Sequence, residues 1–172
     1  MKFKQVDDKN RKLINDFIVK RWFGLNMILR GKIIDMGNID GFYCEEKNNI
    51  VALLTYRIID FNLEIISLDS IHENHGIGSF LVEQIKMFAK RKNLNSVIVI
   101  TTNDNLRALQ FYQKRGFVLN KIYFDSMKEA RKLKPAIPLK NDNGILIRDE
   151  IELKFFTSSD ISSDKKIYQS AI

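Results

Sequence analysis

Between residues 63 and 101 the chain changes its hydrophobic period twice, and that change limits the folds open to it. Residues 63–69 read as an extended run, Leu-Glu-Ile-Ile-Ser-Leu-Asp. Residues 76–92 then carry Phe80, Leu81, Ile85, Phe88 and Ala89 on one side of a helix and Glu83, Lys86 and Lys90 on the other. The next apolar run, Val97-Ile98-Val99-Ile100, fits a strand buried on both faces. Two strands joined through a helix cannot form a hairpin. They lie parallel, linked by a right-handed crossover.

The sequence before this unit is antiparallel in character. Residues 3–6 form a short strand candidate, and residues 8–23 have helical spacing with Asp7 or Asp8 as N-cap. Residues 24–41 read as irregular, with a short helix near residues 26–30. Residues 42–46 and 50–60 are strands joined by Lys47-Asn48-Asn49, and the turn at Phe61-Asn62 leads into residues 63–69. After the crossover, residues 105–115 are predicted as a second helix closed by Gly116, and residues 117–124 as a strand. A third helix over 125–133 stops near Pro135, and residues 145–155 form the last strand. The expected class is α/β (α+β): one domain over residues 1–156, a mixed, mostly antiparallel sheet of about six to seven strands, helices on both faces, and a polar C-terminal tail over 157–172.

Composition removes several alternatives. Hydrophobic residues make up 45% of the chain, too many for a disordered one. Collagen-like and linker-like chains do not fit 8 Gly and 2 Pro. The single cysteine, Cys44, has no partner within the chain, which excludes a disulfide scaffold and suits a reducing compartment. Residues 1–8 lack the apolar core of a signal peptide, and no apolar run approaches the roughly 20 residues of a membrane span. A cytoplasmic protein that does not engage membranes is the expectation. The 28 Lys+Arg exceed the 21 Asp+Glu by seven, giving +7. That charge attracts anions, whether phosphate-bearing cofactors, nucleic acid or an acidic surface. The basic residues are interspersed with acids and no nucleic-acid motif appears, so no nucleic-acid partner is expected. The runs Lys90-Arg91-Lys92 and 128–134 read as solvated helix faces.

Two segments carry the chemistry. In Leu68-Asp69-Ser70-Ile71-His72-Glu73-Asn74-His75-Gly76-Ile77-Gly78-Ser79 a strand ends, a polar loop turns and two glycines open a helix. The first helical turn offers unpaired N–H groups and the positive end of the dipole, and glycines let a phosphate come close. From the residues alone two roles stand open, an anion cradle or a tight turn with close helix–sheet packing. A Walker A loop is absent, since no Gly-Lys-[Ser/Thr] occurs here, and Leu81 stands where a dinucleotide fingerprint needs a small residue. The second segment, Asn105-Leu106-Arg107-Ala108-Leu109-Gln110-Phe111-Tyr112-Gln113-Lys114-Arg115-Gly116-Phe117, places Ala108 and Tyr112 one helical turn apart, with Asn105 at the helix start.

Taken together, the two segments resemble the GNAT superfamily of acyl-coenzyme A-dependent N-acetyltransferases. That family's loop pattern, Gln/Arg-x-x-Gly-x-Gly/Ala, is similar to Glu73-Asn74-His75-Gly76-Ile77-Gly78, and its pattern Asn-x-x-Ala-x-x-Phe-Tyr-x-x-x-Gly-Phe is matched at Asn105, Ala108, Phe111, Tyr112, Gly116 and Phe117. The resemblance is strong over residues 63–124 and topological elsewhere. Glu73 departs from the pattern, and Ser70 stands where a proline is common. Because such a cradle consists mainly of backbone amides, Glu73 is expected to face solvent.

The resemblance implies a GNAT fold whose central parallel pair is splayed apart, with acetyl-CoA as cosubstrate between residues 63–69 and 96–101. Ile66 and Leu68 would present backbone groups to the pantetheine arm, as a substitute strand would be met. The amides of His75, Gly76, Ile77, Gly78 and Ser79 would hold the pyrophosphate, and Asn105, Ala108 and Phe111 would complete the coenzyme site, with Lys114 near the adenosine phosphates. The reaction implied is direct attack of a neutral amine on the thioester. Tyr112 matches the general-acid position and Glu64 the carboxylate base, with Asp69, His72 and His75 as reserve bases. Trp22 and Phe23 are expected either to line the acceptor pocket or to pack the core, and Cys44 to be packed. No metal-ligand spacing occurs. The acceptor is a small-molecule or peptide amine. The hairpin at 138–155 would complete the sheet within one subunit or pair across a homodimer. The alternatives are a non-catalytic coenzyme A-binding module of the same fold and a basic nucleic-acid-binding protein.

Overall fold

Alternating strands and tight turns build a main sheet and a separate two-stranded one. The computed structural model describes residues 1–72 and 75–157. In chain order the elements are β1 (Lys2–Gln5), α1 (Arg11–Trp22), β2 (Asn26–Leu29), β3 (Lys32–Asp35), β4 (Asp40–Glu46), β5 (Asn49–Ile59), β6 (Asn62–Ser70), α2 (Ile77–Arg91), β7 (Ser96–Thr102), α3 (Leu106–Gln113), β8 (Val118–Tyr123), α4 (Ser126–Leu133) and β9 (Glu150–Phe156). The main sheet has seven strands in the order β1-β4-β5-β6-β7-β9-β8. Every neighbouring pair is antiparallel except β6 and β7, the crossover pair anticipated from the sequence. Lys47-Asn48 and Asp60-Phe61 close the meander with both residues of each pair at positive φ, the conformation that matches strand twist in two-residue hairpins.

Helices cover both faces and each face has its own core. On one, α2 and α3 bury Leu81, Ile85 and Tyr112 against Leu63, Val97 and Leu153. On the other, Ile14 and Ile18 of α1 meet Leu29, Ile34, Tyr43 and Leu53. Cys44, next to Tyr43 on β4, falls in the first core and is fully buried.

Three local expectations differ from the structure. Of residues 26–30, predicted as a short helix, 26–29 form β2 and pair with β3 from Asn26↔Asp35 to Leu29↔Lys32. The turn residues Arg30 and Gly31 lie at φ 50° and 66°. Ile28, Ile33 and Ile34 are stiff β-branched residues flanking a glycine turn, which favours a hairpin over a helix. Asp7 does not cap α1. Its Oδ1 accepts from the amides of Lys9 and Asn10, an Asx turn that places Asn10 at the N-cap. The last strand begins at Glu150 rather than 145, because residues 147 and 148 are drawn away by other partners. Arg131 donates to the carbonyl of Ile147, and the amide of Arg148 donates to Asn103. β9 lies between β7 and β8, so the C-terminal segment completes the sheet within the chain. Thr157 closes it, its backbone N–H donating to the carbonyl of Asn95. The rest of the predicted tail lies outside the described residues.

Candidate active site

The sheet opens at its centre for a local reason. On β6, Ile65 faces Tyr56 and Ser67 faces Thr55, so Ile66 is an extra residue, a β-bulge. Thr55 Oγ1 accepts the amide of Ser67 at 3.1 Å and lies 2.8 Å from its hydroxyl, which secures the bulge. A bulge bends its strand and increases the twist. The parallel ladder runs from Asn62↔Ser96 to Ile65↔Val99 and stops there. Beyond it, residues 67–70 pair only with β5 and residues 100–102 only with β9. One backbone edge of β6 is therefore left without a ladder, facing a cleft of about 400 Å³ lined by Leu68, Asp69, Gly78, Asn105, Tyr112 and Arg115, among others.

The N-terminus of α2 forms one wall. Gly76 is its N-cap at φ 77°, a left-handed conformation that disfavours any side chain. A Cβ at Gly78 would stand 3.6 Å from Phe111, ordinary contact distance, so protein packing alone does not demand glycine there. The amides of the first turn have no intrahelical partners. Arg115 joins this wall from the end of α3. Its guanidinium lies 3.5 Å from the centre of the Phe111 ring and donates to the Phe111 carbonyl at 2.5 Å and to Ser79 Oγ.

The α3 helix supplies the opposite wall. Asn105 caps it, its Oδ1 accepting the amide of Ala108 at 3.1 Å. Tyr112 is buried with its ring edge-on to Phe111 and Phe117. Burial pushes its phenol well above the usual tyrosine range, the nearby Asp69 charge adds to this, and Arg115 opposes it. The group is a neutral O–H at any ordinary pH. Asp69 sits where β6 ends, its Oδ2 accepting from Trp22 Nε1 at 2.8 Å and its Oδ1 3.6 Å from Arg21 Nε. Burial raises its pKa above the usual carboxylate value, and the Trp22 hydrogen bond and Arg21 only partly offset this.

A splayed parallel pair, a glycine-opened helix start and a buried tyrosine thus meet in one cleft. A sequence model described as the Acetyltransferase (GNAT) family matches residues 11–117, more than half of the chain. This chain belongs to the GNAT acetyltransferase family. Its relatives include the uncharacterized protein YxbD of Bacillus subtilis strain 168, 42% identical over 142 residues that cover 82% of this chain and 89% of YxbD. Among solved structures, a Bacillus subtilis acetyltransferase in complex with CoA aligns with a TM-score of 0.64 at 17% identity, covering 90% of this chain and 97% of that one. A GNAT family acetyltransferase from Elizabethkingia anophelis with acetyl-CoA bound aligns at 0.63 and 19% identity, covering 90% and 97%. At these identities the structural likeness speaks for the fold.

Within this GNAT domain the cleft brings together most of the residues singled out in the sequence: Leu68, Gly76, Ile77, Gly78, Ser79, Asn105, Ala108, Phe111 and Tyr112 all line it. Glu64 is placed elsewhere. It is 4% exposed, and its two carboxylate oxygens are taken by Arg30 at 2.5 Å and Arg57 at 2.6 Å. Ile66 turns its side chain into the α1-side core. His75 is outside the lining, stacked edge-on against His72, which is within it. Lys114 is exposed and its neighbour Arg115 lines the cleft instead. Phe23 is 92% exposed at the left-handed end of α1, whereas Trp22 reaches Asp69. Glu73 lies outside the described residues. No group of three His, Cys, Asp or Glu suited to a metal occurs among the described residues, and none of their helices is long and apolar enough to cross a membrane.

Sequence reading missed the Trp22–Asp69 link and Arg115. The only sign of the first was an acidic residue ending a strand that opens onto the cleft. The second was visible as an arginine one turn after Phe111, in reach of its carbonyl.

Proposed function

We propose that this protein transfers the acetyl group of acetyl-CoA to a primary amine of a small-molecule or peptide acceptor by direct attack. The observation that carries the reading is the end of the β6–β7 ladder at Ile65↔Val99 beside the start of α2. The pantetheine arm would bond the vacant edge of residues 66–70 as an added strand does. Its diphosphate would take the amides of His75, Gly76, Ile77, Gly78 and Ser79. Asn105 uses its oxygen as a helix cap, which leaves its Nδ2 hydrogens for the arm, with Ala108 and Phe111 beside them.

Asp69 is the better-placed base. It lines the cleft, burial raises its proton affinity, and Glu64 has both oxygens committed to guanidinium groups. Asp69 would take the proton of the incoming amine. The amine nitrogen attacks the thioester carbonyl, the carbon–sulfur bond breaks, and Tyr112 gives its phenolic proton to the leaving sulfur and recovers one from solvent. Backbone N–H groups on the open β6 edge would stabilise the oxyanion between these steps.

The test is thiol release from acetyl-CoA across a panel of small amines, amino acids, polyamines and peptide N-termini. Turnover with one acceptor class is expected. Tight coenzyme A binding with no turnover on any class would make the protein a non-catalytic binding module.

A further inference from the structure

The cradle that would meet the coenzyme diphosphate brings no permanent positive charge of its own. Residues 72–79 read His-Glu-Asn-His-Gly-Ile-Gly-Ser, with one acid and neither Lys nor Arg. Backbone amides and a helix dipole supply only partial charge at the helix start. A dianionic diphosphate in the cleft would be held more strongly with a full cation near the same turn. Three arginines line this cleft, Arg21, Arg107 and Arg115. Arg21 is drawn to Asp69 at the other end, and Arg107 stands in the first turn of α3. Arg115 is bonded to the first turn of α2, through Ser79 Oγ.

Arg115 is also preorganised. Its guanidinium carbon sits over the Phe111 ring at 3.5 Å from the centroid and one fork nitrogen is tied to the Phe111 carbonyl. Its Nε is buried without a hydrogen-bond partner. A buried guanidinium N–H left unpaired carries a desolvation cost, and an oxyanion in the adjoining cleft removes it. The bond to a neutral serine hydroxyl is weaker than one to a phosphate oxygen, so Ser79 serves as a placeholder that a phosphate displaces.

We infer that Arg115 is a coenzyme-specificity residue, the side-chain cation that grips the diphosphate of acyl-coenzyme A and supplies from α3 the charge that the α2 loop lacks. This rests on the coenzyme site proposed above. Lys114, one residue earlier, faces solvent and has no part in it.

The experiment measures binding of coenzyme A, 3′-dephospho-coenzyme A and pantetheine to the full chain and to Arg115→Gln and Arg115→Lys, with thermal melting of each variant. Loss of one charge-assisted bond predicts that Arg115→Gln weakens both nucleotides roughly tenfold or more and leaves pantetheine within about twofold. Arg115→Lys recovers part of the loss, since a point charge lacks the fork. Equal weakening of all three ligands would make Arg115 a packing residue and overturn the inference. So would an effect on coenzyme A that disappears with the dephospho form, which assigns Arg115 to the 3′-phosphate, or an unchanged affinity for every ligand. If the unaltered protein binds pantetheine and coenzyme A equally, the diphosphate cradle itself is wrong. If it binds neither, the coenzyme reading fails with it.

Discussion

The two ends of β6 carry two buried carboxylates in opposite circumstances. At the closed end the strand is laddered on both sides, and Glu64 is clamped by Arg30 from the β2–β3 turn and Arg57 from β5. Asp69 stands at the open end, where one edge is free, and is met by a neutral indole N–H and one arginine at 3.6 Å. The same residue chemistry on one strand thus gives one carboxylate locked between guanidinium groups and one that lines the cleft with a raised proton affinity. What separates them is the bulge at Ile66 and the number of cations each meets.

The comparison breaks if the roles are exchanged by mutation. The largest effect expected is on turnover at the open end. Asp69→Asn and Tyr112→Phe should each lower kcat by about a hundredfold, typical for loss of a general base or acid, with coenzyme A affinity held within about twofold. Steady-state rates beside a binding isotherm check this. Glu64→Gln should act on stability instead. Two guanidiniums lose their shared anion, about 1–3 kcal/mol in denaturant melts, while the folded enzyme keeps its kcat. A collapse of kcat at unchanged stability would return the base role to Glu64.

A smaller effect sharpens the cradle. Gly76→Ala forces a side chain into φ 77°, which costs about 1 kcal/mol and should loosen coenzyme binding several-fold without moving the pH profile. The pH dependence tests Asp69 directly. Its pKa is raised above the ordinary carboxylate range, so kcat/KM should fall as pH drops through that raised value, and Asp69→Asn should erase this limb. For stability the sign is the opposite. A raised folded pKa contributes stability fully below the ordinary carboxylate value, and that contribution is lost as pH climbs through the raised one. Acid-side melts of Asp69→Asn should lack that slope. The smallest effect belongs to Trp22→Phe. The indole bond lowers the Asp69 pKa, so its loss should move the acid limb to higher pH, by less than about one unit for a single neutral hydrogen bond.

Much of this architecture was readable in short stretches of sequence. The period change across residues 63–101 announced the parallel pair, and the glycines at 76 and 78 together with Asn105, Ala108 and Tyr112 announced the cleft, because each depends on residues a turn or two apart. The β2–β3 hairpin escaped because Arg30-Gly31 is an uncommon turn pair between runs too short for a clear period. The ranking of Glu64 above Asp69, which the sequence held only in reserve, came from another cause. Glu64 and Asp69 look equivalent along the strand, and they part only when residues far away in the chain arrive.

By itself the sequence determined the order of strands and helices outside the β2–β3 hairpin, the crossover and the glycines that open α2, since periodicity and left-handed turns are local properties of the chain. Tertiary structure alone decided which carboxylate meets arginines and which meets the cleft. Trp22 reaches Asp69 across 47 residues and Arg115 reaches Ser79 across 36. Charge and proton affinity in a buried site depend on neighbours brought together by packing, and no spacing along the chain records them.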